Sequence, residues 1–237
     1  MATSRTPASN RAGKPPQRAM RLSPEDRREQ LLECAIKVFA EHGLVASNHA
    51  MVAAAAQVSV PTVFFYFKTR EALVDAVLGE VERFYSVTLS AAIDTSQPAE
   101  TTLLTMSQTM THTIDTHPDY CRILMEWSIS VRSDIWPRYL RLYRRITRNV
   151  AKVIERGQLE GRFRADLDPN DEAAILHAAS SALIQMKETG ASAERVDRFQ
   201  RSMIQSVLRQ PSDRVAATAA ARPAAKRRAV KPAATPR

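Results

Sequence analysis

Hydroxyl-bearing, aromatic and cationic side chains are concentrated between Asn48 and Lys68, where the chain reads NHAMVAAAAQVSVPTVFFYFK. Hydroxyl groups and lysine can bond phosphate oxygens, and apolar side chains can contact thymine methyl groups in the major groove of DNA. The segment divides into two short helical patterns separated by Gln57, Val58 and Ser59. This order of short helix, tight turn and short helix predicts a helix-turn-helix that binds DNA.

Local residue choices support that turn. Asn48 and Ser59 are suited to cap the two helices, and Pro61 fits the first turn of the second helix, where backbone amides have no partner within the helix. Val58 can fill the corner, against a run of small alanines that lets the helices approach. Gln57 is unfavourable at this position, because the left-handed backbone conformation of such a turn favours glycine by about 1 kcal/mol.

The rest of the body reads as successive helices without convincing strand alternation, so we expect an all-α fold of about nine helices. Ser23 and Pro24 open the first helix, Gly43 suits its end, and Thr69 caps the fourth helix, which runs to Ser90. Longer helices are expected at about 100–116, from 118, from 137, at 169–188 and at 192–209. Arginines at 138, 141, 145 and 148 line one side of their helix, which we interpret as a solvated face.

The positive charge of the chain lies in its two ends. Residues 1–22 carry +5 and residues 211–237 carry +6, so that, with +9 over the whole chain, the residues between them carry −2. Both ends are rich in small residues and proline, and we expect them to be disordered without a partner. The C-terminal tail is expected either to contact phosphates nonspecifically or only to aid solubility.

Other classes of site find little support in the sequence. There is no nucleophile paired with a base and no phosphate-binding loop, so we expect no enzymatic activity. His112 and His117 lie five residues apart with Asp115 between them, so they do not share a helical face. No third ligand is evident nearby, and no metal or other cofactor is predicted. His42 and His49 are interpreted as exposed, His177 as a core or interface residue, and Cys34 and Cys121 as buried thiols.

Because we find neither a membrane span nor a signal peptide, we expect a cytoplasmic protein, associated with the nucleoid through DNA.

Around the turn the chain resembles the TetR (TetR/AcrR) family of bacterial transcriptional regulators. The resemblance lies in Thr62, the aromatic run Phe64-Phe65-Tyr66-Phe67, Lys68, and Arg70-Glu71-Ala72-Leu73. Three further segments resemble the HapR/SmcR quorum-sensing branch of that family. They are Arg21-Leu22-Ser23-Pro24, Gln57-Val58-Ser59-Val60, and Glu126-Trp127-Ser128 with Arg132 and Ile135-Trp136-Pro137. The resemblance spans about residues 21–209.

The resemblance implies a division of the chain and a set of DNA contacts. The division is a basic arm (1–22), a three-helix DNA-binding domain (23–68), a larger helical effector-binding and dimerisation domain (69–210) and a basic tail (211–237). Phe64 and Phe67 are expected to pack inward, and Phe65 replaces an asparagine typical of the branch. The expected DNA contacts are Arg18 and Arg21 in the minor groove, with Asn48, Ser59, Val60, Thr62, Phe65, Tyr66, Lys68 and Thr69.

The resemblance also implies a homodimer formed through the last two helices and a pocket for a small apolar effector. For the dimer interface we expect Ala174, Ala178, Leu183, Phe199, Met203 and Val207. For the pocket we expect Met106, Met110, Cys121, Met125 and Trp127, although each could instead belong to an ordinary core.

The sequence thus favours a regulator, either a repressor or a dual regulator, that binds a near-palindromic double-stranded DNA operator as a homodimer. The alternative is a histone-like architectural DNA-binding protein, which would explain the basic ends. That alternative leaves the capped helix-turn-helix unexplained.

Overall fold

The computed structural model describes residues 22–131 and 134–208. Within these ranges the chain forms nine α-helices and no strand, in agreement with the predicted all-α fold. The helices are α1 (Pro24–Ala46), α2 (His49–Ala55), α3 (Val60–Tyr66), α4 (Arg70–Ala91), α5 (Ala99–Thr116), α6 (Pro118–Ile129), α7 (Trp136–Leu159), α8 (Pro169–Glu188) and α9 (Ala193–Leu208). Arg18, Arg21, Arg132 and the C-terminal tail lie outside the described residues.

Side-chain caps fix the starts of α1, α2, α3, α4 and α8. Ser23 Oγ accepts a hydrogen bond from the backbone N–H of Asp26 at 3.0 Å, and Pro24 occupies the first turn of α1. Asp168 caps α8 in the same manner, since its carboxylate accepts bonds from the amides of Asn170 and Asp171. Hydrogen bonds from the backbone and side chain of Asn170, and from the backbone of Asp171, lower the pKa of the Asp168 carboxyl group. Each cap satisfies donors that the helix cannot pair itself.

Two large apolar cores hold the helices together. The first is built from α1, α2, α3, α4, α6 and α7 and contains Phe39, Val63, Phe67, Leu73 and Trp127. The second joins α5, α7, α8 and α9 and contains Leu103, Ile154 and Leu176. Because the first core includes side chains from α6 and α7, the C-terminal half packs directly against α1 and α4, the helices that flank the helix-turn-helix.

Ion pairs tie one side of α7 to α4. Arg138 Nε lies 3.1 Å from Glu82, Arg145 lies 2.6 Å from the other oxygen of the same carboxylate, and Arg138 also pairs with Asp75. Gly79 leaves space for the Arg138 guanidinium, which a Cβ there would approach to 3.1 Å. The interpretation of this arginine row as a solvated face was therefore wrong for Arg138, because α4 supplies acidic partners, whereas Arg145 pairs with Glu82 and still remains 49% exposed.

Among the described residues, no single helix is long and apolar enough to cross a membrane, although α2 and α3, bent by 110° at their junction, pass that test together.

Candidate nucleic-acid interface and interior cavity

The turn between α2 and α3 has the geometry that the sequence predicts. Gln57 adopts φ 54°, the left-handed conformation that was expected to be costly for a residue other than glycine. Asn48 Oδ1 accepts hydrogen bonds from the amides of Ala50 and Met51 at 3.0 and 3.2 Å. Ser59 Oγ accepts one from Thr62 N at 3.4 Å, and Val58 packs half-buried against the first core. Both helix starts are thus fixed by side-chain caps.

Helix α3 is anchored by few residues and leaves most of its surface free. Val63 is fully buried, and Phe67, which ends the helix, is 2% exposed. On the outer side Val60 is 37% exposed and Phe65 is 73% exposed, while Ser59 and Lys68 are also exposed. Phe65 is therefore the most prominent apolar side chain that α3 presents to solvent.

Two further expected contacts, Thr62 and Tyr66, are half-buried. The hydroxyl groups of Thr62 and Ser59 lie 2.8 Å apart and bond to each other. The Tyr66 ring packs against the first core and meets Phe65 edge to face, with ring centroids 5.1 Å apart. These two residues therefore help to fix the outer face of α3 as well as forming part of it.

His49 joins α2 to the end of α3. Its ring is buried, and Nε2 donates a hydrogen bond to the carbonyl oxygen of Phe67 at 2.7 Å. Phe64 stacks on this ring with 3.9 Å between centroids, yet Phe64 remains 46% exposed. The predictions of an exposed His49 and an inward-packed Phe64 were both wrong, because the imidazole takes the interior position and the phenyl ring covers it.

The junction after α3 holds a residue whose role the sequence analysis missed. Thr69 caps α4 through a 3.1 Å bond from Ala72 N, and its side chain and that of Lys68 are exposed. The guanidinium of Arg70 donates to the carbonyl oxygens at the end of α1, at 2.5 Å to Leu44, 2.7 Å to Val45 and 3.1 Å to Ser47. Backbone carbonyls that have no partner within the helix, as expected at a predicted helix end, are the signal that points to such a residue.

An apolar cavity of about 100 Å³ lies between α4, α5, α6, α7, α8 and α9. Met106 and Met110 line it, as the sequence analysis expected of pocket residues. The other lining residues are Tyr85, Leu89, Leu103, Ser107, Leu124, Ile146, Val150, Leu176, His177, Ser180, Leu183, Met203 and Ile204.

Three predicted pocket residues lie elsewhere. Trp127 is fully buried in the first core, where its indole N–H donates to the carbonyl of Ile135 at 3.0 Å. Cys121 packs in a small separate cluster with Ile114 and Ile184, and burial raises the pKa of its thiol. Met125 is 36% exposed on the outer side of α6. The prediction of these three as pocket residues was therefore wrong. Residue type indicates how polarizable and how large a side chain is, but it does not determine which side of α6 faces the cavity.

The residues expected at a dimer interface fall on two sides of the last helices. Ala178 is exposed, and Ala174 and Phe199 are half-buried on the outer surface, next to the half-exposed Ile175. Leu183 is 1% exposed and lines the cavity, so its assignment to an interface was wrong. Met203 also lines the cavity, but it is half-buried about one helical turn after Phe199, so it stays a predicted interface residue. The side chain of Val207 lies outside the described residues.

The structure brings together no group of three or more histidine, cysteine or acidic side chains that could hold a metal ion within residues 22–131 and 134–208.

Comparison with known proteins identifies the family. Residues 31–77 match the family described as "Bacterial regulatory proteins, tetR family", and residues 98–215 match the "Tetracyclin repressor-like, C-terminal domain". The HTH-type transcriptional regulator LuxR of Vibrio harveyi is 40% identical over 143 residues, which are 59% of this chain and 70% of LuxR. These matches are to transcriptional regulators, and they give no support to the histone-like alternative.

Solved structures have the same fold. The MbdR regulator from Azoarcus sp. CIB is 26% identical with a TM-score of 0.62, covering 74% of this chain and 95% of that one. A regulator from Saccharomonospora viridis, solved in complex with choline, is 21% identical with a TM-score of 0.70, covering 78% of this chain and 99% of that one. The chain therefore belongs to the TetR family of DNA-binding transcriptional regulators.

Proposed function

We propose that this protein is a homodimeric repressor, or a dual regulator that also activates some promoters. It binds a near-palindromic operator and is controlled by a small apolar ligand. It acts by binding and catalyses no reaction. The observation that carries the proposal is the α2–α3 corner, where two short helices meet at 110° and α3 is fixed by buried residues while its outer face stays free. A helix held in this way can enter the major groove.

We assign base contacts to Val60 and Phe65, whose exposed apolar side chains suit thymine methyl groups. Lys68 and Thr69, at the start of α4, face phosphates in this proposal, and Ser59 joins them. Thr62 and Tyr66 are half-buried, and in this proposal the exposed parts of their side chains contact the DNA. Asn48 acts mainly as a cap, because its side-chain oxygen already accepts two amide bonds. The described part of α3 contains no arginine or lysine to read guanine, so Arg18 and Arg21 of the arm add minor-groove contacts.

We assign dimer formation to the outer faces of α8 and α9. Ala174 and Ala178 are small enough to let a partner helix approach closely, and the exposed Ile175 and the nearby Phe199 supply apolar area. A two-fold axis through this four-helix contact would place one α3 helix on each half of the operator. The symmetry of the protein then requires the near-palindromic symmetry of the site.

Ligand control is assigned to the apolar cavity. Its wall includes Tyr85 and Leu89 of α4, the helix that begins directly after the DNA-contacting segment. A ligand that fits only one position of α4 shifts the spacing of the two α3 helices by its differential affinity for the two states. Among relatives in fold, SmeT has been solved with triclosan and the Saccharomonospora viridis regulator with choline, which supports the binding of a small molecule by this fold.

The proposed division of labour follows the boundaries inferred from the sequence, with DNA binding in 23–68, control and dimerisation in 69–210, and basic segments at 1–22 and 211–237. Because its target is chromosomal DNA, we place the protein in the cytoplasm, associated with the nucleoid.

The proposal is tested with variants of the outer face of α3. Phe65→Ala and Val60→Ala should each weaken binding to selected genomic sites roughly three- to tenfold, while a sedimentation assay still finds a dimer. Val87→Ala, at a 59% exposed position on α4, is the matched control and should bind DNA like the parent protein. Unchanged affinity in both α3 variants would place the DNA contact elsewhere.

A further inference from the structure

The chemistry of the cavity wall restricts what the cavity can hold. Its surface is almost entirely apolar, with methionine side chains from α5 and α9, namely Met106, Met110 and Met203. Methionine is flexible and polarizable, so a wall of this kind adapts to a rigid apolar guest. The cavity therefore favours a molecule with an apolar body.

Charge is excluded by the same wall. None of the described residues that line the cavity is an aspartate, glutamate, lysine or arginine. His177 is half-buried there, and desolvation lowers the pKa of its imidazole, which favours the neutral ring. A charged guest would lose its hydration without gaining a counter-charge, and such a loss is large in an apolar interior.

Size gives a second restriction. An apolar cavity of about 150 Å³ is large enough to bind benzene. At about 100 Å³ this cavity accepts a guest of at most roughly that size until the methionine side chains move. Large multi-ring molecules are therefore disfavoured.

Besides Tyr85, whose hydroxyl group is buried, three polar side chains in the wall provide a place for one hydrogen-bonding group. Ser107 Oγ accepts a bond from Gln200 at 3.0 Å, which leaves its own hydroxyl hydrogen free to donate. Ser180 Oγ donates to the carbonyl of His177 at 2.6 Å and keeps its acceptor lone pairs. His177 Nε2 lies 3.5 Å from Tyr139 Oη, a long contact, and no partner for Nδ1 is found among the described residues.

We infer that the cavity binds a compact, uncharged organic molecule of about the size of benzene, bearing a single hydroxyl or carbonyl group that bonds to His177 or a neighbouring serine. The methionines enclose its apolar body. This inference rests on the proposed ligand control only for its regulatory meaning, since binding itself can be measured without DNA.

The test uses small probes in matched pairs, with the full-length dimer and calorimetric titration at pH 7.5. Benzyl alcohol should bind at least tenfold more tightly than benzylammonium, and benzamide at least tenfold more tightly than benzoate, because each charged probe must be desolvated. Equal binding within either pair, or no binding by any neutral probe, would overturn the inference.

Variants locate the site. Met110→Trp fills the cavity and should abolish binding of the neutral probes, whereas Met125→Trp, on the exposed side of α6, should leave it unchanged. His177→Leu should lower the affinity for phenol relative to that for toluene by three- to tenfold, because only phenol loses a hydrogen bond. If Met110→Trp fails to fold, Met203→Phe repeats the test from α9. Retained probe binding in a folded cavity-filling variant would contradict the assignment.

Operator binding is measured in the same samples, which separates the two proposals. Absence of sequence-specific DNA binding by the ligand-free protein would contradict the proposed function but would not affect the inferred class of ligand. Binding of charged and neutral probes alike by a protein that recognises its operator would contradict only the ligand class.

Discussion

The carboxylate of Glu126 accepts hydrogen bonds from the backbone N–H of Leu44 at both of its oxygens, with N···O distances of 2.9 and 3.0 Å. Glu126 lies on α6, in the C-terminal half, whereas Leu44 follows Gly43, where the backbone turns out of the helical conformation at φ 85°. Arg70 holds the carbonyls of the same segment from the other side. The end of α1 is thus clamped between α6 and α4. Because Leu124 of α6 also lines the cavity, this clamp connects the cavity to the helix-turn-helix.

Removing the carboxylate should loosen that connection. Glu126→Ala leaves the Leu44 amide without its acceptor, which should lower the free energy of unfolding by about 1–3 kcal/mol. Operator affinity should fall as well, since α2 follows directly from the clamped segment. Glu126→Gln keeps one oxygen acceptor and should lose less, and Glu155→Ala, at an exposed position on α7, serves as the control. Denaturant titration and operator binding that match the parent in Glu126→Ala would disprove the clamp.

Close packing at Gly157 makes a second prediction. A Cβ at Gly157 would overlap the ring of Phe163, which is 3% exposed. Gly157→Ala should therefore destabilise the protein by about 1–3 kcal/mol, because the buried ring has to shift. Gly161→Ala is the comparison, since Gly161 has φ 69° but open space around it, and should cost only about 1 kcal/mol. Equal losses in the two variants, measured by thermal unfolding, would show that the Phe163 contact is not limiting.

Partial burial of His177 predicts a loss of stability in acid. Desolvation lowers the pKa of this imidazole in the folded protein, so the unfolded chain takes up a proton at a pH where the folded chain does not. Stability should therefore fall as the pH drops through the unfolded value of about 6.5. His177→Leu removes this contribution, so the decrease between pH 7.5 and 5.5 should be smaller than in the parent. A decrease of the same size in both proteins would assign the acid sensitivity to other groups.

Phe65 should determine part of the operator preference. Its phenyl ring, 73% exposed, can contact a thymine methyl group but cannot bond to adenine. Phe65→Asn introduces an amide that pairs with adenine N6 and N7, so binding to a library of operator variants should shift toward adenine at one position in each half-site. The variant Ile129→Asn, on α6, introduces the same amide at a position 76% exposed and should not change the preference. An unshifted preference in Phe65→Asn would remove this residue from base recognition.

Local signals in the sequence were sufficient for most of the fold. Caps and breaks depend on neighbouring residues, which is why Ser23, Asn48, Ser59 and Thr69 begin the predicted helices, and why Gln57 takes the expected left-handed turn. These interactions span only two or three residues along the chain. The order of the helices is therefore predictable without knowing how they pack.

Contacts between distant helices were not predictable in the same way. His49 bonds to Phe67, Arg70 to Leu44 and Glu126 to the same segment, and each pairing depends on helix crossing rather than on spacing. The pocket prediction failed for Trp127 for the same reason, because a large apolar side chain can face either of two cores.

Footprinting with the purified full-length protein on selected genomic fragments tests the central claim most directly. A homodimer with one α3 per half-site should protect a near-palindrome whose half-sites are centred about one helical turn, roughly 10–10.5 base pairs, or a multiple of it apart. The protected boundaries should persist as nonspecific competitor DNA is added. Uniform protection without boundaries, lost in proportion to the competitor, would contradict the assignment of this chain as a sequence-specific regulator.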